Sequence, residues 1–157
     1  MAGLLRPRAG RIVIEGVAEP ALTMHYIGHA NGLKREATVR EHVRYWEGLF
    51  GVRDADMMGT PAAQKIGIAA AGLIKQADLP VRVLSQGQAR RLALMRLHIA
   101  PRPIWLLDEP AAGLDSKARE NLNEFIESHC LAGGLAIASV HEPLGLEPSQ
   151  TIAIGAE

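Results

Sequence analysis

The chain has 157 residues, and its seventeen lysines and arginines are balanced by seventeen aspartates and glutamates. This length predicts one domain, and a formal net charge of zero argues against a protein that coats nucleic acid or an anionic membrane. The single cysteine, Cys130, excludes an internal disulfide framework and a multi-cysteine metal site, so we expect a reducing, cytoplasmic setting. No signal-peptide pattern is present, and no run approaches the roughly 18 apolar residues of a membrane helix.

The first half of the chain predicts two short strands and then a helical region. The strands are RIVIE at 11–15 and MHYI at 24–27, and the second breaks into the loop 28–32, where two glycines and an asparagine permit positive φ. Capping patterns at Thr38 with Glu41 and at Thr60-Pro61 predict two helices. We expect the first helix to run to Phe50 and the second to about Ile74.

The second half alternates helices with apolar runs, which predicts right-handed βαβ units and a parallel sheet. Ser85 with Gln88 is a third capping box, and Ser116 is the predicted cap of the last helix. The predicted helices are 86–99 and 117–131, and the predicted strands are 104–107 and 135–140, both buried, followed by 151–154.

Two adjacent carboxylates, Asp108 and Glu109, follow the strand 104–107 and precede Pro110. Parallel sheets bind ligands at the carboxyl ends of their strands, so this pair is the first candidate for a site. One carboxylate can hold Mg²⁺ through its water shell, and the next can orient or deprotonate a water that attacks a γ-phosphate. The segment resembles a Walker B motif, although a plain turn after a core strand would have the same residues.

Leu84-Ser85-Gln86-Gly87-Gln88 resembles the LSGGQ signature loop of ABC ATPases, with Gln86 in place of the first glycine. A serine hydroxyl, a glycine N–H and a helix N-terminus together suit phosphate oxygens. The alternative is a capping box without a ligand.

Three more segments follow the order of the same family. Ala112-Gly-Leu-Asp115 resembles a D-loop, His141 is placed as the switch histidine, and the loop from His29 to Lys34 has the spacing of a Q-loop with His29 in place of glutamine. Singly these could be a helix flank, a structural histidine and a polar loop. The signature loop, the Walker B motif, the D-loop and the switch histidine follow one another in the order found in ABC ATPases. Together they resemble that family.

Further details resemble the ATP-binding subunit of the haem exporter of cytochrome c biogenesis, the CcmA family. They are the segment Tyr26-Ile-Gly-His29, the pair Arg90-Arg91, Trp105 inside the Walker B strand, and Gly133-Gly134. The resemblance implies an α/β P-loop NTPase core with a parallel sheet plus a helical subdomain at about 38–99, and the C-terminal part of the core at 100–157.

The resemblance also implies ATP and Mg²⁺ as cofactors. Asp108 would hold Mg²⁺, Glu109 would be the general base, and His141 would contact the γ-phosphate in cis. Ser85 and Gly87, with Gln88 beside them, would contact the γ-phosphate bound by an opposing protomer. In the same family Asp115 would couple the two sites, and His29 occupies a position that normally senses Mg²⁺.

The implied partners are hydrophobic membrane subunits and a second ATPase protomer, without nucleic acid. The implied location is peripheral, on the cytoplasmic face of the inner membrane, and the implied work is haem export or haem-chaperone release in cytochrome c maturation.

One required motif is absent from the sequence. Residues 2–10 resemble the end of a P-loop helix, and no G-x-x-x-x-G-K-[ST] occurs in the chain. Without it there is no lysine for the β- and γ-phosphates and no nest of backbone N–H groups. We therefore expect no ATPase activity from the isolated chain and an unpaired apolar sheet edge beside the Walker B strand. The chain would be either a fragment of an ordinary ATPase subunit or a non-catalytic partner that lends its signature loop.

Overall fold

The structure, a computed structural model, describes residues 9–10, 13–15, 23–50 and 67–153. In these ranges three strands form one parallel sheet in the order β1-β2-β3. They are β1 at Met24–Ile27, β2 at Ile104–Asp108 and β3 at Leu135–Ser139. The register places Ile27 opposite Leu107 and Asp108 opposite Ser139. The parallel sheet predicted from the alternation of elements is confirmed.

Three helices are described from end to end: α1 at Val39–Phe50, α2 at Gln86–Ile99 and α3 at Ser116–Leu131. Residues 67–70 are also helical, and short 3₁₀ turns lie at Ile74–Gln76 and Val81–Val83. The capping box before α1 is confirmed, because the Thr38 N–H donates to Glu41 at 2.7 Å and the Glu41 N–H donates to the Thr38 hydroxyl at 3.1 Å.

The predicted helix ending near Ile74 is too long. Helical residues stop at 70, where Gly72 takes a φ of 67°. The N–H of Gly72 then bonds to Ala69 and the N–H of Leu73 bonds to Ile68, which is a Schellman ending. The predicted start of this helix at Thr60-Pro61 lies outside the described residues.

The predicted cap of α3 is wrong by one residue. Asp115, not Ser116, is the N-cap, and its carboxylate accepts the N–H of Ala118 at 2.8 Å. Ser116 is the first helical residue. Aspartate and serine both cap well, so composition alone did not separate the two positions.

Three strand predictions also need correction. Residues 13–15 and 151–153 are not in strands, while 11–12 and 154 lie outside the described residues. The predicted strand 135–140 ends at Ser139, and its side chains are exposed or half-buried instead of buried. An apolar run indicates a strand, but only the neighbours of that strand decide whether it is covered.

The prediction of an unpaired sheet edge beside the Walker B strand is wrong. Strand β2 is hydrogen-bonded to β1 on one side and β3 on the other. Among the described residues β3 has one neighbour, so the open edge on that side of the sheet belongs to β3.

Helix α2 joins two apolar clusters and so fixes the signature segment relative to the sheet. Leu92, Met95 and Ile99 pack in a cluster with α1, whereas Leu94 and Leu97 pack in a cluster with β2 and α3. Within the part of the chain that the structure describes, none of the helices combines the length and the apolar character needed to cross a bilayer.

Candidate functional site

The two carboxylates lie at the carboxyl end of the central strand. Asp108 is the last residue of β2, and Glu109 follows it with a φ of 49°. Among the described residues Glu109 is the only non-glycine with positive φ. Its N–H donates to the carbonyl of Ser139 at 3.0 Å, so the turn is pinned to the end of β3. Such strained backbone is concentrated at functional sites.

The Asp108 carboxylate is held by hydrogen bonds from strand β3 and from the loop after β1. The Ser139 hydroxyl donates to Oδ1 at 2.6 Å, and the backbone N–H of His29 donates to Oδ2 at 3.1 Å. The Ser139 hydrogen bond is the main reason that the pKa of Asp108 is lowered from its ordinary value, with His29 and the charge of Arg90 adding to it. Asp108 is therefore a fixed, ionised carboxylate.

This carboxylate fits a hydrated magnesium ion. Each oxygen accepts one protein hydrogen bond and keeps a further lone pair, and ionised oxygen donors are what Mg²⁺ prefers. Within the described residues no group of three or more His, Cys, Asp or Glu side chains could hold a metal. Asp108 would therefore act as one carboxylate beside an ion that keeps most of its waters.

Glu109 and His141 both line a cavity of about 300 Å³. His141 Nε2 is 3.8 Å from Glu109 Oε1, and the histidine side chain is 95% exposed. The lining residues are Glu109, Ala111, Ala112, Gly113, Leu114, Arg119, Val140, His141, Glu142 and Leu144. The cavity thus brings a carboxylate and an imidazole next to the segment 112–115.

The predicted signature loop begins α2 with a complete capping box. The Ser85 N–H donates to Gln88 Oε1 at 2.9 Å, and the Gln88 N–H donates to the Ser85 hydroxyl oxygen at 3.2 Å. The hydroxyl proton of Ser85 is left to donate elsewhere, and the residue is exposed. The side chain of Gln88 is used by the cap.

Gly87 places the signature loop against the D-loop of the same chain. A Cβ built on Gly87 would lie 2.5 Å from the carbonyl oxygen of Gly113, which is far too close. Gly113 has a φ of 74° and faces the side chain of Gln86. A glycine is therefore required at 87 for steric reasons in addition to any phosphate contact.

Arg90 is the centre of the site's hydrogen bonding. Only 2% of it is exposed, and its guanidinium donates to backbone carbonyls on both sides of the Asp108–Glu109 turn and to the loop after β1. From the sequence, Arg90 was noted only as one of the residues that carry the family resemblance. The signal that could have predicted more is its position on the buried face of α2, where an unpaired arginine is costly.

The predicted site residues divide into two groups. Asp108, Glu109 and His141 come together at the ends of β2 and β3, and His29 joins them through its backbone N–H. Ser85, Gly87 and Gln88 lie at the start of α2, and Asp115 caps α3. Ser139 was missed, because only the register that places it opposite Asp108 distinguishes it from an ordinary serine in a strand.

The other histidines have structural surroundings. His25 and His42 are buried and bond to backbone groups, while His98 and His129 stack on Phe125 and Trp105.

Comparisons with known proteins agree with this geometry. The sequence model of the ABC transporter family matches residues 1–112. A solved ATP-binding subunit of an ABC transporter superposes with a TM-score of 0.73 at 23% identity, covering 88% of this chain and 59% of that one. A putative ABC transporter ATP-binding protein from Pyrococcus furiosus gives a TM-score of 0.69 at 20% identity, covering 90% and 70%. The fold is that of an ABC-type ATPase domain in the α/β P-loop NTPase class.

Sequence relatives define the family within that class. The chain is 41% identical to the cytochrome c biogenesis ATP-binding export protein CcmA of Agrobacterium fabrum, over 97% of this chain and 72% of the relative. It is 43% identical to the protein of the same name from Rhodopseudomonas palustris strain BisB5, over 93% and 71%. The chain belongs to the CcmA family of ABC ATPases.

Proposed function

We propose that the chain is the ATP-hydrolysing subunit of an export complex for cytochrome c biogenesis, and that it drives haem export or haem-chaperone release. The observation that carries the proposal is the fixed Asp108 carboxylate beside a strained Glu109 that faces His141. The names of relatives about 40% identical supply the process. The complex would lie at the cytoplasmic face of the inner membrane, docked on hydrophobic membrane subunits.

The proposed chemistry is hydrolysis of the γ-phosphate of ATP. Glu109 would take a proton from a water in the cavity, the water oxygen would bond to the γ-phosphorus, and the bond to the β–γ bridging oxygen would break to release ADP. His141 lies 3.8 Å from Glu109 and would donate a hydrogen bond to a γ-phosphate oxygen. Mg²⁺ would neutralise charge on the phosphates, and Asp108 would hold its hydration shell.

The signature loop is proposed to act in trans. Ser85 is exposed and retains a free hydroxyl proton at a helix N-terminus, which favours an anion brought by a second protomer. Asp115, capping α3 beside the D-loop, would couple the two sites through the backbone of that loop.

This proposal requires a phosphate loop that these residues do not contain. The sequence has no G-x-x-x-x-G-K-[ST], so no lysine or backbone nest of that type grips the β- and γ-phosphates. We therefore infer that the isolated chain does not turn over ATP. The intact, exposed signature loop favours a second candidate function, in which the chain lends Ser85 to a complete partner and hydrolyses nothing itself.

A chimera tests the first function. An ABC phosphate loop with its strand and helix, taken from the Agrobacterium fabrum relative, is joined to this chain, and phosphate release from ATP is measured. We expect turnover that falls at least a hundredfold in Glu109→Gln and is unchanged in Glu124→Gln, an exposed carboxylate on α3. A folded chimera whose turnover ignores Glu109→Gln would contradict the proposed role of this carboxylate.

Complementation tests the second function. The unaltered chain is mixed with the complete relative whose own signature loop has been inactivated, and ATP turnover is measured. Restored turnover that disappears in Ser85→Asp, which preserves the helix cap but repels phosphate, would support lending of the loop. Turnover that is not restored would count against it.

A further inference from the structure

Arg90 has an unusually complete set of hydrogen bonds for a buried arginine. Its Nε donates to Pro110 O at 3.1 Å, one terminal nitrogen donates to Gly28 O at 2.8 Å and to Asn31 Oδ1 at 3.0 Å, and the other donates to Asp108 O at 2.6 Å and to Glu109 O at 2.8 Å. These are five bonds, as many as the guanidinium has N–H groups. The side chain therefore joins α2, the loop after β1 and the turn after β2.

The charge of Arg90 is balanced in an indirect way. In the described part of the chain its guanidinium has no ion pair with a carboxylate, and its bonds are to four carbonyls and one amide oxygen. Burial lowers its pKa, while the charges of Asp108 and Glu109 oppose that shift. A buried cation costs more than an apolar side chain of the same volume, so packing alone does not account for an arginine here.

The turn that Arg90 holds is the strained one. Glu109 has a φ of 49°, a left-handed conformation that is strained for a residue other than glycine. Its carbonyl accepts from Arg90 and from the Ala112 N–H at 3.0 Å, and its own N–H donates to Ser139 O at 3.0 Å. Arg90 is the one side chain among these partners, since the other two contacts are made by backbone.

We propose that Arg90 is a positioning residue that holds the left-handed backbone of Glu109 and thereby directs its carboxylate into the cavity. The guanidinium is required because its five N–H groups meet five acceptors, whereas a lysine has three donors. The consequence of this role for catalysis rests on the proposed function. The stabilisation of the turn at Glu109 by Arg90 does not.

Hydrogen exchange measured by NMR on the full chain tests the proposal. In Arg90→Lys, the amide of residue 109 is expected to exchange at least ten times faster, while amides in the middle of α2 and α3 stay within twofold. Arg91→Lys is the matched control, because it changes the neighbouring arginine of the same helix and has no hydrogen bond to this turn among the contacts described. It is expected to leave the residue 109 amide within twofold.

Rescue by glycine separates positioning from general stability. Glycine adopts positive φ without strain, so Glu109→Gly in the Arg90→Lys background is expected to return the exchange of that amide to within threefold of the unaltered chain. Glu109→Ala in the same background is expected to leave it fast. Equal exchange in the Gly and Ala double variants would overturn the proposal, as would a uniform rise across α2, α3 and the sheet.

A milder variant covers the case in which Arg90→Lys does not fold. Asn31→Ala removes one acceptor and leaves four bonds, so we expect about a threefold faster exchange at residue 109 and none elsewhere. No change at that amide would contradict the proposal. Because no ATP enters these measurements, failure here is distinct from failure of the proposed enzyme.

Discussion

At the scale of single residues, the site depends on small groups that approach the carboxylates from other segments. Ser139 donates to Asp108 through its hydroxyl and accepts from Glu109 through its carbonyl. Asp108 and Glu109 could be predicted because paired carboxylates after an apolar strand have a distinctive chemistry. Ser139 could not be singled out, because a serine in a strand is ordinary until the register places it opposite Asp108.

Removing the Ser139 hydroxyl should raise the pKa of Asp108 toward its ordinary value, because that hydrogen bond is the largest cause of the lowered pKa. A lowered carboxyl pKa contributes stability above its unfolded value, which is lost as the pH falls through the folded value. Ser139→Ala should therefore reduce the amount by which the free energy of unfolding falls at acid pH. Carboxyl carbon chemical shifts followed by NMR from pH 2 to 6 measure the change. Ser128→Ala, on the exposed side of α3, should leave the Asp108 titration where it was.

Gly87→Ala should destabilise the fold because the new methyl group would meet the Gly113 carbonyl oxygen at 2.5 Å. Forced overpacking of this kind costs about 1 to 3 kcal/mol. The free energy of unfolding in urea measures it. Gly48→Ala is the matched control, since its Cβ meets nothing within 4 Å and lies in α1, where alanine should stabilise by about 0.5 to 1 kcal/mol. Equal effects at both positions would contradict the steric argument.

At the scale of elements, local signals predicted helix boundaries better than strand burial, since the predicted ends at Phe50, Ile99 and Leu131 agree with the structure. The boxes at Thr38 and Ser85 are pairs of side chains three residues apart, so the sequence contains the whole interaction. The exposure of β3 is different, because it depends on which segments cover the strand. The strand order β1-β2-β3 could likewise not be predicted from local signals. It places the open edge of the sheet at β3 and not at β2, the strand that ends in Asp108.

The cap of α3 gives a direct test at this scale. Asp115→Ala removes the carboxylate that accepts the Ala118 N–H at 2.8 Å, and the loss of an N-cap costs about 1 kcal/mol. Ser116→Ala changes the first helical residue and should be nearly neutral or stabilising. Urea unfolding followed by circular dichroism compares the two. A larger loss of unfolding free energy in Ser116→Ala than in Asp115→Ala would show that Ser116 is the N-cap, as the sequence predicted.

At the scale of the whole molecule, the free energy of unfolding should fall as the pH drops below about 6.5, the ordinary pKa of histidine. The ring of His25 is 5% exposed, and burial is the main cause of its lowered pKa, so the folded chain binds fewer protons there than the unfolded chain does. Urea unfolding at pH 7.5 and pH 5.5 measures the difference. His25→Gln should reduce it.

The two apolar clusters show how the molecule keeps the candidate site in order. Helix α2 contributes to both clusters, so the signature loop at its start and Arg90 in its first turns stay fixed against the turn after β2. Asp108 and the Ser85 cap are fixed by hydrogen bonds, while the sequence contains no G-x-x-x-x-G-K-[ST] motif. Under the proposed function, the residues expected to activate water are therefore in place, and a phosphate loop would have to be supplied to them.

The most direct measurement is ATP hydrolysis by the purified 157-residue chain alone, followed with radiolabelled ATP and Mg²⁺. The account predicts phosphate release at the rate of the protein-free blank, for the unaltered chain and for Glu109→Gln alike. Turnover well above the blank that disappears in Glu109→Gln would contradict it, because the chain would then bind and cleave ATP without a Walker A loop.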